Sequence, residues 1–280
     1  MKTAVLTDST AYIPKDLREK WDIHMVPLNV IFGSESFQEE VDITADEFYT
    51  KMKEQEELPK TSQPSIGHMT EKLKELGQEF DAVVAVHLSS GISGTLQGTI
   101  TAGDLAENIK VYAFDSELSC MAQGFYVLEA AKLAKEGVEP DAIIARLNEM
   151  KQSMRAYFMV DDLTNLHKGG RLNGAQAMIG SLLQVKPILH FVDKKIEPFE
   201  KIRTRKKALN RVRELFDEDA RTGKPIRACV IHSQREEEAQ QWKVDLEAKY
   251  ENVEVMISYF GPVIGTHLGE GAIGLTWYEK

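Results

Sequence analysis

Residues 82–98, "AVVAVHLSSGISGTLQG", join an apolar run to a turn of serine, glycine and threonine. The mostly apolar part, 82–88, predicts a strand that is buried on both faces, as in parallel sheets. A helix is expected to begin near Gly94, directly after the polar turn. A buried strand, a short turn and a helix in this order are typical of an α/β protein, in which crossover helices connect parallel strands.

The remaining sequence repeats this alternation of short apolar runs and amphipathic segments. Strands are predicted at 3–7, 24–32, 110–116, 156–162, 186–204, 227–232, 253–260 and 272–278. Helices are predicted at 68–76, 121–137, 140–152, 205–221 and 235–250. A capping box predicts one more helix start at Thr44, and the segment 186–204 is expected to turn back on itself about Asp193 and Lys194. Residues 58–65 are expected to form a loop and 261–271 a glycine-rich turn.

The pattern changes near residue 155, and the length of 280 residues is within reach of two domains. We therefore predict the fold class α/β with two α/β domains. The N-terminal domain, 1–155, has a mostly parallel sheet with flanking helices. The smaller C-terminal domain, 156–280, has a mixed sheet.

Composition and charge argue against several classes of function. A net charge of −10 argues against nucleic acid as the main partner, because phosphate binding normally needs a basic face. Cys120 and Cys229 lack metal-ligand spacing, which argues against a zinc site and a disulfide scaffold and suits a reducing cytosol. Because the sequence has neither a signal-peptide pattern nor a run of about 20 apolar residues, we expect a cytoplasmic protein.

Hydroxyl side chains follow three of the predicted strands, in 6–10, 88–95 and 114–117. The carboxyl ends of parallel strands line the crevice where ligands bind, and the loop 58–65 can reach the same rim. The sequence thus predicts a cluster of neutral hydrogen-bond donors: Ser9, Thr10, Thr61, Ser62, Ser93 and Thr95. Ser93 also precedes a predicted helix, where free backbone N–H groups favour an anion.

Two other interpretations of Ser93 stay open. Serine after a strand often only caps the next helix. Residues 91–95, "GISGT", are also one substitution short of the G-x-S-x-G turn of hydrolases, with His267 as base and Asp115, Asp161 or Asp193 as acid. Thr95 at the fifth position obstructs that tight turn. Neither a dinucleotide-binding nor a P-loop motif is present.

Three further features stand out in the second half of the chain. His267 lies among five glycines in 261–274, which suggests the close approach of another group. Paired glycines present Arg171, which meets either an anion or solvent. Residues 201–213 carry seven Lys or Arg and no acid. Such a run forms either a solvated helix face or a docking surface for an acidic partner, a phosphoryl group or anionic lipid.

Seven motifs, in order along almost the whole chain, resemble the DegV family of fatty-acid-binding proteins, the binding subunits of bacterial fatty acid kinase. The motifs are "TDSTAYIP" (7–14), "TSQPS" (61–65), "SSGISGT" (89–95), "FDS" (114–116), "GGRL" (169–172), "RTRKKA" (203–208) and "GPVIGTHLGEGAIG" (261–274). This resemblance implies two α/β domains with a ligand tunnel between them. A long-chain fatty acid would occupy the tunnel, and no other cofactor, no metal and no catalytic residue is expected.

The resemblance also implies roles for individual residues. Thr61 and Ser93 would hold the fatty-acid carboxylate, with His267 near it, and the residues beside them that could contribute are Ser62, Gly94 and Thr95. Arg171 and Arg203 would face the kinase or the phosphoryl group. The expected partners are the fatty acid, the catalytic subunit of the kinase and, transiently, an anionic membrane surface. The alternative is a serine esterase or thioesterase that uses Ser93 and His267.

The physical chemistry of a fatty acid agrees with these roles. Each buried CH₂ contributes about 0.8 kcal/mol, so the acyl chain supplies the affinity. A buried carboxylate must still be hydrogen-bonded, and neutral hydroxyls can do this while leaving it nucleophilic. The apolar segments 175–183, "AQAMIGSLL", and 256–260, "MISYF", are candidates for the tunnel lining.

Overall fold

The computed structural model describes residues 1–172 and 185–280, and within these ranges thirteen strands alternate with ten α-helices. The strands are β1 (Thr3–Asp8), β2 (Ile23–Val26), β3 (Asn29–Phe32), β4 (Glu35–Gln38), β5 (Lys60–Ser62), β6 (Ala82–His87), β7 (Lys110–Asp115), β8 (Arg155–Met159), β9 (Lys186–Val192), β10 (Lys195–Ile202), β11 (Ile226–His232), β12 (Val253–Tyr259) and β13 (Ile273–Glu279). The helices are α1 (Lys15–Trp21), α2 (Ala45–Glu54), α3 (Ile66–Leu76), α4 (Thr95–Ala106), α5 (Cys120–Lys135), α6 (Pro140–Met150), α7 (Thr164–Lys168), α8 (Arg205–Ala220), α9 (Glu236–Lys249) and α10 (Pro262–Leu268).

The apolar strand predicted at 82–88 is β6, whose residues are all buried. It lies inside a four-stranded sheet, sheet 1, of order β2-β1-β6-β7, in which every pair is parallel. Helices α3 and α4 cover one face of this sheet through a core that includes Leu73 and Ala102. Helix α4 begins at Thr95 with Gly94 as its N-cap, as the sequence predicts. The mostly parallel sheet with flanking helices is confirmed.

The second sheet, sheet 2, has six strands in the order β10-β9-β8-β13-β11-β12. Only β11 and β12 pair in parallel and the other neighbours are antiparallel, so the predicted mixed sheet is also confirmed. The hairpin of β9 and β10 turns at Asp193 and Lys194, which both have positive φ, as a two-residue turn that matches the strand twist requires. Helices α8 and α9 contribute Phe216 and Trp242 to the outer core of sheet 2.

Helix α5 lies between the two sheets, and this position accounts for the apolar residues in its sequence. Ten of its sixteen residues are buried, among them Phe125 and Tyr126, because apolar groups contact it from both sides. Its core cluster contains Val84 of sheet 1 and Ile231 of sheet 2. A helix enclosed in this way is apolar around its circumference instead of along one stripe.

Two predictions in the first half were wrong in detail. The single strand predicted at 24–32 is interrupted at Pro27, so β2 joins sheet 1 while β3 starts a separate antiparallel sheet, the small sheet, of order β4-β3-β5. The loop predicted at 58–65 contains β5. Both prolines of that segment, Pro59 and Pro64, lie outside the three paired residues, so neither removes a ladder hydrogen bond.

The turn predicted at 261–271 was wrong as well, because most of it is helix α10. Pro262 takes the first helical position, where its missing N–H costs nothing. Gly265 is required by packing and not by a turn, since an added Cβ would overlap the hydroxyl of Tyr49. The short helices α1 and α7 and the strand β4 were not predicted.

Sheet 1 uses residues up to Asp115 and sheet 2 residues from Arg155 onwards. The domain limits of 1–155 and 156–280 are compatible with this division and stay a prediction. In the described ranges, every helix is too short or too polar to span a bilayer.

Candidate functional site

The small sheet and helix α10 bring together two residues that are 206 positions apart in the chain. Thr61 lies on β5 opposite the buried Val30 of β3. Its Oγ1 is 3.0 Å from Nε2 of His267, near the end of α10. His267 is itself only 9% exposed. The contact joins the "TSQPS" segment to the "GTHLG" segment.

A pocket of about 280 Å³, the polar pocket, opens beside this contact. Its polar lining consists of Thr61, Ser62, Gln63, Ser93, Gly94, Arg171 and His267. Its apolar lining consists of Leu28, Leu88, Ile92, Val263 and Ile264. Six of the site residues named from the sequence therefore border one pocket, and the seventh polar residue, Gln63, was missed. The proximity of Gln63 to the "TSQPS" hydroxyls was the only sequence signal for it.

Ser93 directly precedes the N-cap of helix α4 and borders the polar pocket. Its Oγ lies 2.9 Å from Oγ1 of the buried Thr95 and accepts a hydrogen bond from the Thr95 N–H at 3.3 Å. The glycines around it are needed for close approach. An added Cβ would overlap Oε1 of Gln63 at Gly94 and the carbonyl of Lys194 at Gly91. Both glycines thus contact other parts of the protein.

His267 is electrically neutral at neutral pH. Burial, reinforced by the positive charge of Arg171, lowers its pKa to about 4. Its Nδ1 has no hydrogen-bond partner among the described residues and lies against Gly169, where an added Cβ would overlap it. A buried donor without a partner is costly, so the tautomer with hydrogen on Nε2 is favoured. Nε2–H then donates to Thr61, whose own O–H is free to donate to a ligand.

Arg171 stands where the polar pocket meets a second cavity. Its Nη1 donates to the carbonyl of Gly169 at 2.6 Å and its Nε to the carbonyl of Ile92 at 3.3 Å. The guanidinium is thereby held by backbone carbonyls on two different segments. A fixed positive charge in this position favours an anionic ligand group nearby.

The second cavity, the apolar slot, runs between helix α5 and sheet 2. Its lining is dominated by Ile92, Cys120, Ala122, Phe158, Phe191, Ile196, Ile231, Phe260, Ile264 and Leu268. The volume of the slot is only about 50 Å³, against about 280 Å³ for the polar pocket. The slot is therefore narrow for its extent. Of the two predicted lining segments, 256–260 contributes Phe260, and 175–183 lies outside the described residues.

The slot and the polar pocket adjoin each other. Four residues line both of them, namely Ile92, Arg171, Ile264 and His267. A ligand with an apolar chain and a polar anionic end could therefore place the chain in the slot and its end beside Thr61 and Ser93.

Comparison with known proteins identifies the family of this chain. The family model described as an uncharacterised protein of the DegV family matches residues 2–280. Protein DegV of Bacillus subtilis (strain 168) is 59% identical over 281 residues, which cover 100% of both chains. The chain belongs to the DegV family.

Solved structures of the family have the same fold. A crystal structure of DegV from Bacillus subtilis, described as a fatty acid binding protein, has a TM-score of 0.96 and 58% identity, with 100% of both chains covered. A DegV family protein from Thermus thermophilus, described by its fatty acid binding, has a TM-score of 0.93 and 31% identity, also with 100% of both chains covered. The α/β architecture of this DegV-family chain is therefore that of the family.

Ser9, Thr10 and the buried Thr95 do not line the polar pocket, so that part of the predicted donor cluster was wrong. After β1 the chain turns inward through the 3₁₀ turn Ser9–Ala11. The Ser9 hydroxyl donates to the buried carboxyl group of Glu39, and the Thr10 hydroxyl donates to Asp8. These hydroxyls satisfy buried acids of the DegV fold and face no pocket ligand.

Arg203 is also separate from the polar pocket. It is exposed between β10 and α8 and lines neither the slot nor the polar pocket. Within the basic run 201–213, Arg205 pairs with Asp161 and Glu238, which leaves fewer free positive charges than the sequence suggests. The exposed cations of the run are Lys201, Arg203, Lys206 and Lys207.

Among the described residues, the hydrogen bonds that would join the serine, histidine and acid of a hydrolase active site are not formed. The Ser93 hydroxyl interacts with Thr95, and Nε2 of His267 interacts with Thr61. Of the candidate acids, Asp115 binds Ser90 and Lys194, and Asp161 binds Lys186 and Arg205. A nucleophile, its base and an orienting acid would need to be hydrogen-bonded in series.

Proposed function

We propose that this DegV-family protein binds a long-chain fatty acid. The acyl chain occupies the apolar slot and the carboxylate lies in the polar pocket, held by Thr61 and Ser93 with His267 beside them. The observation that carries the proposal is the shared lining of the two cavities, which includes Arg171 and His267. The related proteins from Bacillus subtilis and Thermus thermophilus, both described as binding fatty acid, support it.

The two ends of the ligand have different roles. A chain of about sixteen carbons gains on the order of 10 kcal/mol from burial before ordering costs are subtracted. The carboxylate adds little affinity of its own, because its removal from water costs free energy. Hydrogen-bond donors in the pocket must compensate for this cost. Thr61 and Ser93 offer hydroxyl donors, and a neutral His267 holds the Thr61 hydroxyl in place.

We further propose that the protein presents this carboxylate to a separate ATP-dependent fatty acid kinase in the cytoplasm and has no catalytic residue of its own. A carboxylate oxygen attacks the γ-phosphorus of ATP, and the bond from that phosphorus to ADP breaks as the acyl phosphate forms. This product feeds phospholipid synthesis. Neutral donors leave the carboxylate more nucleophilic than a direct ion pair would.

Positive side chains at the rim support the transfer and the partner contacts. Thr61, Arg171 and His267 also border an outer pocket, which is lined by Lys60 and Lys168 together with the acids Glu56 and Glu57. In this proposal a phosphoryl group approaches from the side of the cations. In this proposal Arg171 faces that group and the exposed Arg203 faces the kinase. The exposed lysines of the run 201–213 would allow transient contact with an anionic membrane surface.

Native purification followed by mass spectrometry tests the binding proposal. The protein is expected to release long-chain fatty acid, and a variant with both Thr61→Ala and Ser93→Ala should retain less of it and should not support phosphorylation by the kinase. A control with Thr50→Ala and Thr101→Ala removes two hydroxyls that bond only to carbonyls of their own helices. Equal retention and equal phosphorylation in the two double variants would contradict the assigned roles.

A fluorophosphonate probe tests the serine hydrolase alternative directly. The binding proposal expects Ser93 to stay unlabelled, because no base accepts its proton. Covalent labelling of Ser93 that disappears in His267→Gln would contradict the proposal and establish a hydrolase.

A further inference from the structure

The tip of the β9–β10 hairpin, from sheet 2, contacts the turn that leads to Ser93 in sheet 1. The Ser89 hydroxyl donates to the carbonyl of Lys194 at 2.6 Å. The same carbonyl lies against Gly91, where any side chain would overlap it. The sequence predicts that another group comes close to Gly91. That group is the backbone at Lys194, in the turn between β9 and β10.

An ion pair completes this contact, which we name the hairpin latch. Nζ of Lys194 is 3.0 Å from Oδ2 of Asp115, at the end of β7. Asp115 also accepts hydrogen bonds from the N–H and the hydroxyl of Ser90. Burial acts to raise the pKa of Asp115, but the hydrogen bonds from Ser90 and Lys194 outweigh it and leave the pKa below its ordinary value. The latch is therefore ionised at neutral pH.

The same hairpin forms one wall of the apolar slot. Phe191 precedes the tip and Ile196 follows it, and both line the slot. Ile196 also forms a β-bridge with Leu172, the neighbour of Arg171. The hairpin is thus attached at its tip to the Ser93 turn and at its side to the Arg171 segment.

We propose that the β9–β10 hairpin is a releasable strap over the slot and that the hairpin latch controls how fast a ligand enters and leaves. The assignment of that ligand as a fatty acid rests on the proposed function. The latch is weak enough to open, because the Lys194 side chain is 44% exposed and the Asp115 side chain 12%. Apart from this ion pair, the tip is held by the hydrogen bond from Ser89 to the Lys194 carbonyl, while the bridge of Ile196 to Leu172 and the pairing of β9 with β8 hold the base of the hairpin. Opening it would move Phe191 and Ile196 away from the slot without breaking the contact between Thr61 and His267.

The rate at which the Cys120 thiol is modified measures opening of the β9–β10 hairpin, and this measurement requires no ligand. Cys120 lines the slot and is only 3% exposed. The other cysteine, Cys229, is removed by Cys229→Ala in every sample, so that N-ethylmaleimide can modify a single thiol. Delipidated protein with Lys194→Gln should be labelled roughly twofold to fivefold faster than its parent, the range expected for loss of one partly exposed ion pair. Asp115→Asn should have a similar effect.

A distant ion pair provides the matched control. Lys224 and Glu279 are 2.8 Å apart at the surface, so Lys224→Gln removes a comparable pair and should leave the labelling rate unchanged. Urea unfolding of each variant separates local opening from a general loss of stability. Equal labelling rates for Lys194→Gln, Asp115→Asn and Lys224→Gln would overturn the proposal.

Ligand exchange is the second measurement. The rate at which palmitate passes from the loaded protein to serum albumin should rise by the same factor in Lys194→Gln, with a smaller change in equilibrium affinity. An unchanged transfer rate would contradict control of exchange by the latch. If palmitate does not bind at all, the proposed function fails, and the Cys120 labelling still decides whether the hairpin opens.

Discussion

The imidazole of His267 is neutral because the protein buries it beside a positive charge. The pKa of the ring falls to about 4 from an ordinary value of 6.5, with burial as the main cause and Arg171 as the second. Under the proposed function, a charged imidazole would attract the carboxylate of the fatty acid more strongly but would also make that carboxylate a weaker nucleophile. The neutral ring instead orients the hydroxyl of Thr61 through a 3.0 Å hydrogen bond.

The lowered pKa predicts a pH dependence of stability in the ligand-free protein. In acid the unfolded chain binds a proton at this histidine before the folded protein does, so stability is lost as the pH falls from 6.5 towards 4. The loss should reach roughly 3 kcal/mol in the free energy of unfolding. Urea titrations of His267→Gln should lack this part of the loss, whereas His167→Gln, on the exposed face of α7, should retain it. Parallel pH profiles for His267→Gln and the parent would contradict the argument.

Helix α10 depends on the buried carboxyl group of Glu39, from another part of the chain, whose pKa burial raises to about 8. Glu39 accepts hydrogen bonds from the N–H of Val263, in the first turn of α10, and from the hydroxyl of Tyr12, both at 2.7 Å. A third hydrogen bond comes from Ser9. Glu39 thus connects the 3₁₀ turn after β1 to the helix that carries His267.

Removing this connection should be costly. Glu39→Ala leaves three buried donors without an acceptor, so we expect the free energy of unfolding to fall by about 3 kcal/mol or more. Fatty-acid retention should fall as well, because α10 loses the anchor of its first turn. The matched control is Glu35→Ala, which removes an exposed partner of Lys51 and should cost at most about 1 kcal/mol. Equal losses in urea unfolding would show that Glu39 is not an anchor.

The apolar slot exists because the side chains of helix α5 and sheet 2 do not fill the space between these two elements. The slot adjoins the polar pocket at one end and is lined by side chains from both halves of the chain, such as Cys120 and Phe260. Its narrow width suits an extended alkyl chain. Ligand length should therefore decide affinity until the slot is filled.

This geometry predicts the dependence of affinity on chain length. Each added CH₂ should lower the dissociation constant about fourfold, which corresponds to roughly 0.8 kcal/mol, and the effect should end when the chain exceeds the slot. The dissociation constants are measured by isothermal titration of delipidated protein with saturated fatty acids of increasing chain length. The double variant Thr61→Ala and Ser93→Ala should weaken all of the acids by a similar factor and keep the slope per CH₂. An affinity that does not change with length would exclude the slot as the chain site.

Local sequence patterns predicted much of the fold because they depend on neighbouring residues. The apolar run at 82–88 became the buried strand β6, and the capping box of Thr44 and Glu47 begins helix α2. Helix α10 was missed because its glycines resemble a turn, and only the packing of Gly265 against Tyr49 shows why they lie in a helix.

For the candidate site, the sequence determined the types of chemical group: hydroxyls after strands, glycines where backbones approach and a histidine among them. It also supplied the motifs that place the chain in the DegV family. Only the tertiary structure decided which groups meet. It paired Thr61 with His267, 206 residues apart, and directed Ser9 to the buried Glu39. The physical reason is that hydrogen bonds and cavities form between elements distant in the chain, so their partners depend on packing and not on local pattern.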